Sequence, residues 1–154
     1  MLAMSLLALP LLGGCAIDAE ASIAEPPIVT NQECAGPDGP SQKYAASEDA
    51  YVDLAGVWDR CASTLTNIPS DVAGVEFDGK YAYFLVQGPR GLVRGTGTAY
   101  TRTVQLRVDG QGVVLMLADS DGTFAAYSAE ITASPHRLRI ENTTTHAYLT
   151  LGAR

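Results

Sequence analysis

Three cysteines and two histidines are the side chains of this 154-residue chain best suited to covalent or metal chemistry. Cys15, Cys34 and Cys61 make an odd number, so one thiol needs an explanation separate from the other two. His136 and His146 show no ligand spacing with Cys34 and Cys61, which argues against a metal site. No nucleophile elbow G-x-S-x-G and no H-E-x-x-H occurs, and no pair of carboxylates stands out as acid and base. The glycines of Gly91-Leu92-Val93-Arg94-Gly95-Thr96-Gly97 lack the G-K-[ST] of a phosphate loop, and they read as bends in coiled strands. Asp119-Ser120-Asp121-Gly122 begins like a calcium loop but lacks the remaining ligands and the closing glutamate, so it reads as a hairpin turn. Asn142-Thr143-Thr144 reads as a polar loop, and His136 as a solvated turn residue after Ser134-Pro135. The expectation is a protein that is not an enzyme and has no metal and no cofactor.

The first cysteine has its own setting. Met1 to Leu12 is apolar, uncharged and too short to span a bilayer, for which about 20 residues are needed, and it fits the apolar core of a secretory signal. It ends in Leu11-Leu12-Gly13-Gly14-Cys15, which resembles a bacterial lipobox: an aliphatic residue at −3, small residues next to the cleavage point, then cysteine. The resemblance implies that residues 1–14 are a lipoprotein signal peptide and that Cys15 carries the lipid, anchoring the protein to a membrane. Several acyl chains hold firmly, since each buried methylene contributes about 0.8 kcal/mol. No Lys or Arg precedes the apolar run, and the expectation is a start codon lying further upstream. The alternatives are a non-lipidated signal or a buried apolar strand with Cys15 an ordinary thiol. Ala16 rather than aspartate follows the cysteine, which leans toward the outer membrane of a bacterial cell envelope.

Composition bounds the partners. A formal charge of −7 offers no phosphate-neutralising surface, so no nucleic acid partner is expected, nor electrostatic docking on an anionic membrane. Residues 15–50 are rich in acidic and small residues and punctuated by Pro26-Pro27, Gly36-Pro37 and Gly39-Pro40, a composition that reads as a disordered, flexible tether, with a short helix possible over 41–49. Export places the remaining thiols in an oxidising compartment. With Cys15 taken by lipid, as the lipobox implies, Cys34 and Cys61 are left to form one disulfide that pins the far end of the tether.

The stretch Gly56-Val57-Trp58-Asp59-Arg60-Cys61 marks the start of a different body, residues 51–154. Alternating apolar residues and the turn signals Asp78-Gly79, Asp109-Gly110 and Asp121-Gly122 predict strands near 55–61, 73–78, 80–87, 92–100, 102–108, 113–118, 124–132, 137–141 and 146–151. Val113 to Leu117 is apolar throughout and reads as a strand that is covered on both faces or lines a seam. Eight to nine short sequential strands predict an all-β fold, a small antiparallel up-and-down barrel, with a β-sandwich as the alternative. Closure removes the open edges that invite aggregation. At this size a barrel interior holds side chains or one small ligand.

Two families resemble parts of this pattern. Gly56-Val57-Trp58 on the first strand is similar to the G-x-W opening of lipocalin and avidin-like barrels. In those families the tryptophan plugs the closed end beneath a late-strand arginine, a role the resemblance offers to Arg137 or Arg139. It also makes Trp58, with Tyr81 and Tyr83 should they face inward, the candidate binding residues for a small apolar ligand; outward-facing tyrosines are equally ordinary in strands. Thr96-Gly97-Thr98-Ala99-Tyr100 resembles, with threonine for serine, the S-G-x-x-Y stretch of membrane-bound lysozyme inhibitors, which are short lipoprotein barrels. In that family a later lysine also enters the lysozyme cleft, and here no lysine follows Lys80.

The functional expectation is a membrane-anchored envelope lipoprotein that binds another protein. Lipocalin-like carriage of a small apolar ligand is the first alternative, and lysozyme inhibition the second. A filled interior favours the protein partner; an open apolar cavity favours the carrier.

Overall fold

The structure, a computed structural model, describes residues 31–119 and 121–154. The lipobox and Cys15 lie outside the described residues. The strands are β1 (Gly56–Ser63), β2 (Val72–Phe77), β3 (Tyr81–Gly88), β4 (Gly91–Arg94), β5 (Thr101–Asp109), β6 (Gly112–Ala118), β7 (Phe124–Ala133), β8 (His136–Asn142) and β9 (Tyr148–Ala153), preceded by one helix, α1 (Ser47–Leu54). The Asp-Gly pairs turn the chain as their chemistry dictates. Asp78 Oδ1 accepts from the N–H groups of Lys80 and Tyr81 at 3.1 and 2.8 Å, and Gly79 takes φ +87°, which a side chain would resist.

All pairings are antiparallel, and the ring closes through β1–β2–β3–β5–β6–β7–β8–β9 and back to β1. This is a closed eight-stranded barrel with β4 outside it, hydrogen-bonded to β3 alone. A sandwich is therefore not the architecture. One predicted strand, 92–100, is split: β4 stops at Arg94, and Thr98–Tyr100 form a 3₁₀ turn. Gly95 ends the strand, since a Cβ there would lie 2.0 Å from the ring of Tyr100, and Gly97 turns the chain at φ +95°. The apolar run of β6 resolves into two faces. Val113, Leu115 and Leu117 are buried inward, while Val114 and Met116 are half-buried on the outside, so the strand is not covered on both sides.

Side chains fill the barrel. Trp58, Val75, Phe84, Leu115, Tyr127, Ile131, Leu138, Ile140, Leu149 and Leu151 form one buried cluster, as expected for eight strands around a narrow interior. At the end where β1 begins, Ala50 and Leu54 of α1 join this cluster, and the Trp58 indole donates to the Leu54 carbonyl at 2.9 Å. Beyond the far end of β1, Arg102 turns inward and donates to the carbonyls of Thr98, Ala99, Thr101 and Asn67 at 2.8–3.3 Å, with its guanidinium 5.3 Å from the Phe84 ring centre. Asn67 in turn donates to the Tyr127 hydroxyl at 2.8 Å.

The stretch that composition places in the tether is, from Asn31 onward, packed on the barrel. A 3₁₀ turn (Gln32–Cys34) lies over β9 at Gly152, where a Cβ would meet Glu33 Cβ at 3.0 Å and Cys34 Sγ at 3.2 Å. The Asn31 amide donates to Asp59 and to the carbonyls of Gly152 and Ala153 at 2.9–3.2 Å. Further on, Ser41 bridges Thr132 and the Gln42 N–H donates to the Ile131 carbonyl at 2.7 Å, on a part of β7 that β6 does not reach. The helix expected near 41–49 is α1, displaced toward residue 54, and it covers the part of β5 that runs past β3: Tyr51 and Ser47 hydroxyls accept from the N–H groups of Leu106 and Val108 at 2.8 and 3.2 Å. What docks this strap is mostly directed polar contact rather than apolar area, which is why its composition resembles a linker.

Candidate functional site

Cys34 and Cys61 are bonded, with their Cα atoms 5.3 Å apart. The register between β1 and β9 shifts at Arg60/Ala62, so Cys61 is the extra residue of a bulge. A bulge re-aims a side chain, and here Cys61 meets the strap on the outside of the wall. The bond therefore ties the strap to the barrel, the pairing expected of Cys34 and Cys61.

The three candidate ligand residues do not converge. Trp58 lies inside, 1% exposed, with its ring edge-on to His136 at 4.9 Å. On β3 the inward positions are Ala82 and Phe84, both buried, which sends Tyr81 and Tyr83 to the outer surface. Their rings sit 6.0 Å apart there. Neither Arg137 nor Arg139 stacks on Trp58. Both point outward from β8, opposite in parity to Leu138 and Ile140; Arg139 lies over Tyr148 at 4.1 Å, and Arg137 holds the strap. His136, expected in solvent, packs instead against Trp58, because its position shares the inward parity of Leu138.

The outer face of β2, β3 and β4 brings together groups that sequence reasoning did not single out. Register sets Glu76 opposite Tyr83 and Leu85 opposite Arg94. The Arg94 guanidinium stacks 3.6 Å above the Tyr83 ring and grips Glu76 with two bonds, Nε to Oε2 at 2.8 Å and Nη2 to Oε1 at 2.9 Å. The Arg94 bond holds the Glu76 carboxyl below its ordinary range, and the same bond raises Arg94. Beside this stack runs a groove of about 430 Å³ lined by Val57, Glu76, Leu85, Leu92, Arg94 and Arg154. Leu92 lies close over β2 because position 74 is glycine: a Cβ there would meet the Trp58 carbonyl oxygen at 2.5 Å and Leu92 Cδ1 at 2.9 Å. The clue in the sequence was the Asp78-Gly79 turn, which fixes Glu76 across from the tyrosines once the hairpin register is counted.

The Thr96-Gly97-Thr98-Ala99 loop is exposed. It is held by Arg102 from within and by the Tyr100 hydroxyl, which donates to Asp71 at 2.8 Å. At the calcium-like stretch the Asp121 carboxylate accepts from the Thr123 N–H at 2.8 Å, closing the turn between β6 and β7. Among the described residues no group of three or more His, Cys, Asp or Glu is placed to hold a metal ion. Comparison with protein-family models, with curated proteins and with solved structures returns no match.

Proposed function

We propose that this chain is an exported, lipid-anchored module of the bacterial cell envelope that acts without catalysis, by binding another protein through its outer surface. The single observation that carries the reading is the filled barrel. Trp58, Phe84 and Tyr127 are each 1% exposed, α1 covers one end, and Arg102 with Asn67 covers the other. A lipocalin-like carrier needs an interior volume that these side chains occupy, whereas the outer face offers a stacked arginine, two tyrosines and a groove. Aromatic residues and arginine are the types enriched where protein interfaces concentrate their energy. The Cys34–Cys61 bond supports an oxidising compartment and hence export. Membrane attachment through Cys15, leaning to the outer membrane, rests on the lipobox.

Two experiments test this. Metabolic labelling with palmitate in an exporting host is expected to mark the full chain and not its Cys15→Ser variant; equal labelling of both removes the anchor. A photo-crosslinking amino acid at Tyr81 is expected to yield a discrete protein adduct in the intact envelope, absent when the crosslinker sits at Tyr44, half-buried on the strap. Adducts equal at the two positions count against the outer face.

A second reading, resembling the lysozyme inhibitors, is favoured by the exposure of the Thr96–Ala99 loop on its buried arginine support. Crosslinking from Thr98 to added lysozyme supports it; no adduct removes it.

A further inference from the structure

The groove on the outer face lies next to the point at which the described chain begins. The Asn31 amide donates to Asp59 at 2.9 Å and to the carbonyls of Gly152 and Ala153 at 3.2 and 3.1 Å. Asp59 lies 3.6 Å from Arg154 Nε, and the Arg154 N–H donates to the Val57 carbonyl at 3.0 Å. Arg154 and Val57 both line the groove, so Asn31 stands at its rim. The charged groups around the groove are spent on one another, Arg94 on Glu76 and Arg154 on Asp59. What remains to be covered is apolar: Val57, Leu85 and Leu92. The groove therefore suits an uncharged, apolar occupant.

The residues just before Asn31 supply one. Pro26-Pro27-Ile28-Val29 is the longest run without a polar side chain between Cys15 and Asn31. Each proline fixes its own φ and holds the residue before it extended, and β-branched Ile28, Val29 and Thr30 favour the same conformation. Such a run loses little freedom on seating. Its length also matches. Five extended residues, 26–30, span about 15 Å at about 3.1 Å each, and from β1 across β2 and β3 to β4 is three strand spacings, about 14 Å.

We propose that the Pro26-Pro27-Ile28-Val29 run docks in the groove of its own barrel, crossing from Val57 to Leu85 and Leu92 as an intramolecular ligand. Seated there it lies beside the Tyr83–Arg94 stack, so a partner that uses the groove displaces it. That consequence rests on the interaction reading above; the docking does not. The same run offered by a second copy is the poorer occupant, because a short tether holds its own end at an effective concentration on the order of millimolar.

Nuclear Overhauser contacts in methyl-labelled Cys15→Ser protein test the docking. The expected result is cross-peaks from Ile28 and Val29 methyls to those of Leu85 or Leu92, with backbone order parameters at both residues above the flexible range of about 0.6. A capped Glu-Pro-Pro-Ile-Val-Thr peptide, titrated to about 1 mM, the weak end of specific recognition, should bind saturably at Leu85 and Leu92 once the resident run is spoiled by Ile28→Asp with Val29→Asp. It should bind at least tenfold more weakly to the parent chain, whose own run competes, and lose its shifts in the Leu92→Asn version of the double variant. Absent cross-peaks, order parameters below about 0.6, or equal peptide binding to parent and double variant each overturns the proposal. Cross-peaks seen only between labelled and unlabelled copies in a mixed sample overturn it in favour of exchange between molecules. No partner is present in these measurements, so a discrete Tyr81 adduct in the envelope with no docking contacts sinks this proposal alone, and docking contacts with no such adduct sink the interaction reading alone.

Discussion

Arg137 is the test case for how the strap is held. It points outward from β8 yet is only 6% exposed, because residues 33–38 lie across it. Its donors reach the carbonyls of Glu33, Ala35 and Gly36 and the Asp38 carboxylate, the last two at 3.0 and 2.7 Å. Arg137→Met keeps much of the apolar stem and deletes every donor. Hydrogen bonds from a charged group contribute about 1.5–3 kcal/mol each, so four added naively give about 6–12 kcal/mol. That sum is too large, because Asp38 is 66% exposed and the strap can lift to let water satisfy its carbonyls. The loss is capped by the docking of the strap, and we expect about 2–4 kcal/mol. Urea unfolding of oxidised protein measures it. Amide exchange locates it: the Gln42 N–H, bonded to Ile131 at 2.7 Å, should exchange faster in the variant, while core amides of β6 and β7 lose only what global stability loses. A destabilisation under about 1 kcal/mol with unchanged exchange at Gln42 would refute the reasoning.

Three further outcomes follow from the same geometry. Replacing both Cys34 and Cys61 by serine opens a loop of sequence separation 27 and should cost about 3–4 kcal/mol in urea unfolding, with less than additive loss when combined with Arg137→Met, since both anchors hold one segment. Gly152→Ala places a methyl 3.0 Å from Glu33 Cβ and 3.2 Å from Cys34 Sγ, and should cost about 1–3 kcal/mol by displacing the Gln32–Cys34 turn. The Glu76 carboxyl, lowered by its bond to Arg94, should titrate below the ordinary glutamate range by NMR and move up in Arg94→Gln. Because the folded value is depressed, this pair's contribution is present above the unfolded glutamate pKa and fades as pH falls through the folded one; a flat response would show the pair is not formed in solution.

Most of the barrel was legible because its turns and alternation are local. The Asp-Gly pairs and the inward sets Val104-Leu106 and Leu138-Ile140 place strands to within a few residues. The break after Arg94 was not legible, since Thr96, Thr98 and Tyr100 all favour strands; what bends the chain is a tyrosine ring against Gly95 and an arginine buried from the next strand. Tyr81 and Tyr83 were ambiguous because both parities of Tyr81-Ala82-Tyr83-Phe84 are apolar, and only the registers with β2 and β5 decide between them. The outward parity of Arg137 was visible in Arg137-Leu138-Arg139-Ile140, and it conflicts with a stack on an inward Trp58. The disulfide was reachable from export and an odd thiol count. The strap it fastens was not, since carbonyls aimed at a distant arginine leave no pattern in composition.

The most direct measurement is native mass spectrometry of the Cys15→Ser protein purified from the periplasm of an exporting host. A barrel filled by its own side chains should fly at the bare mass of the polypeptide, two hydrogens light for the Cys34–Cys61 bond. Extra mass that is retained under native conditions and lost on denaturation would mean a ligand inside, contradicting the closed interior on which the interaction reading stands.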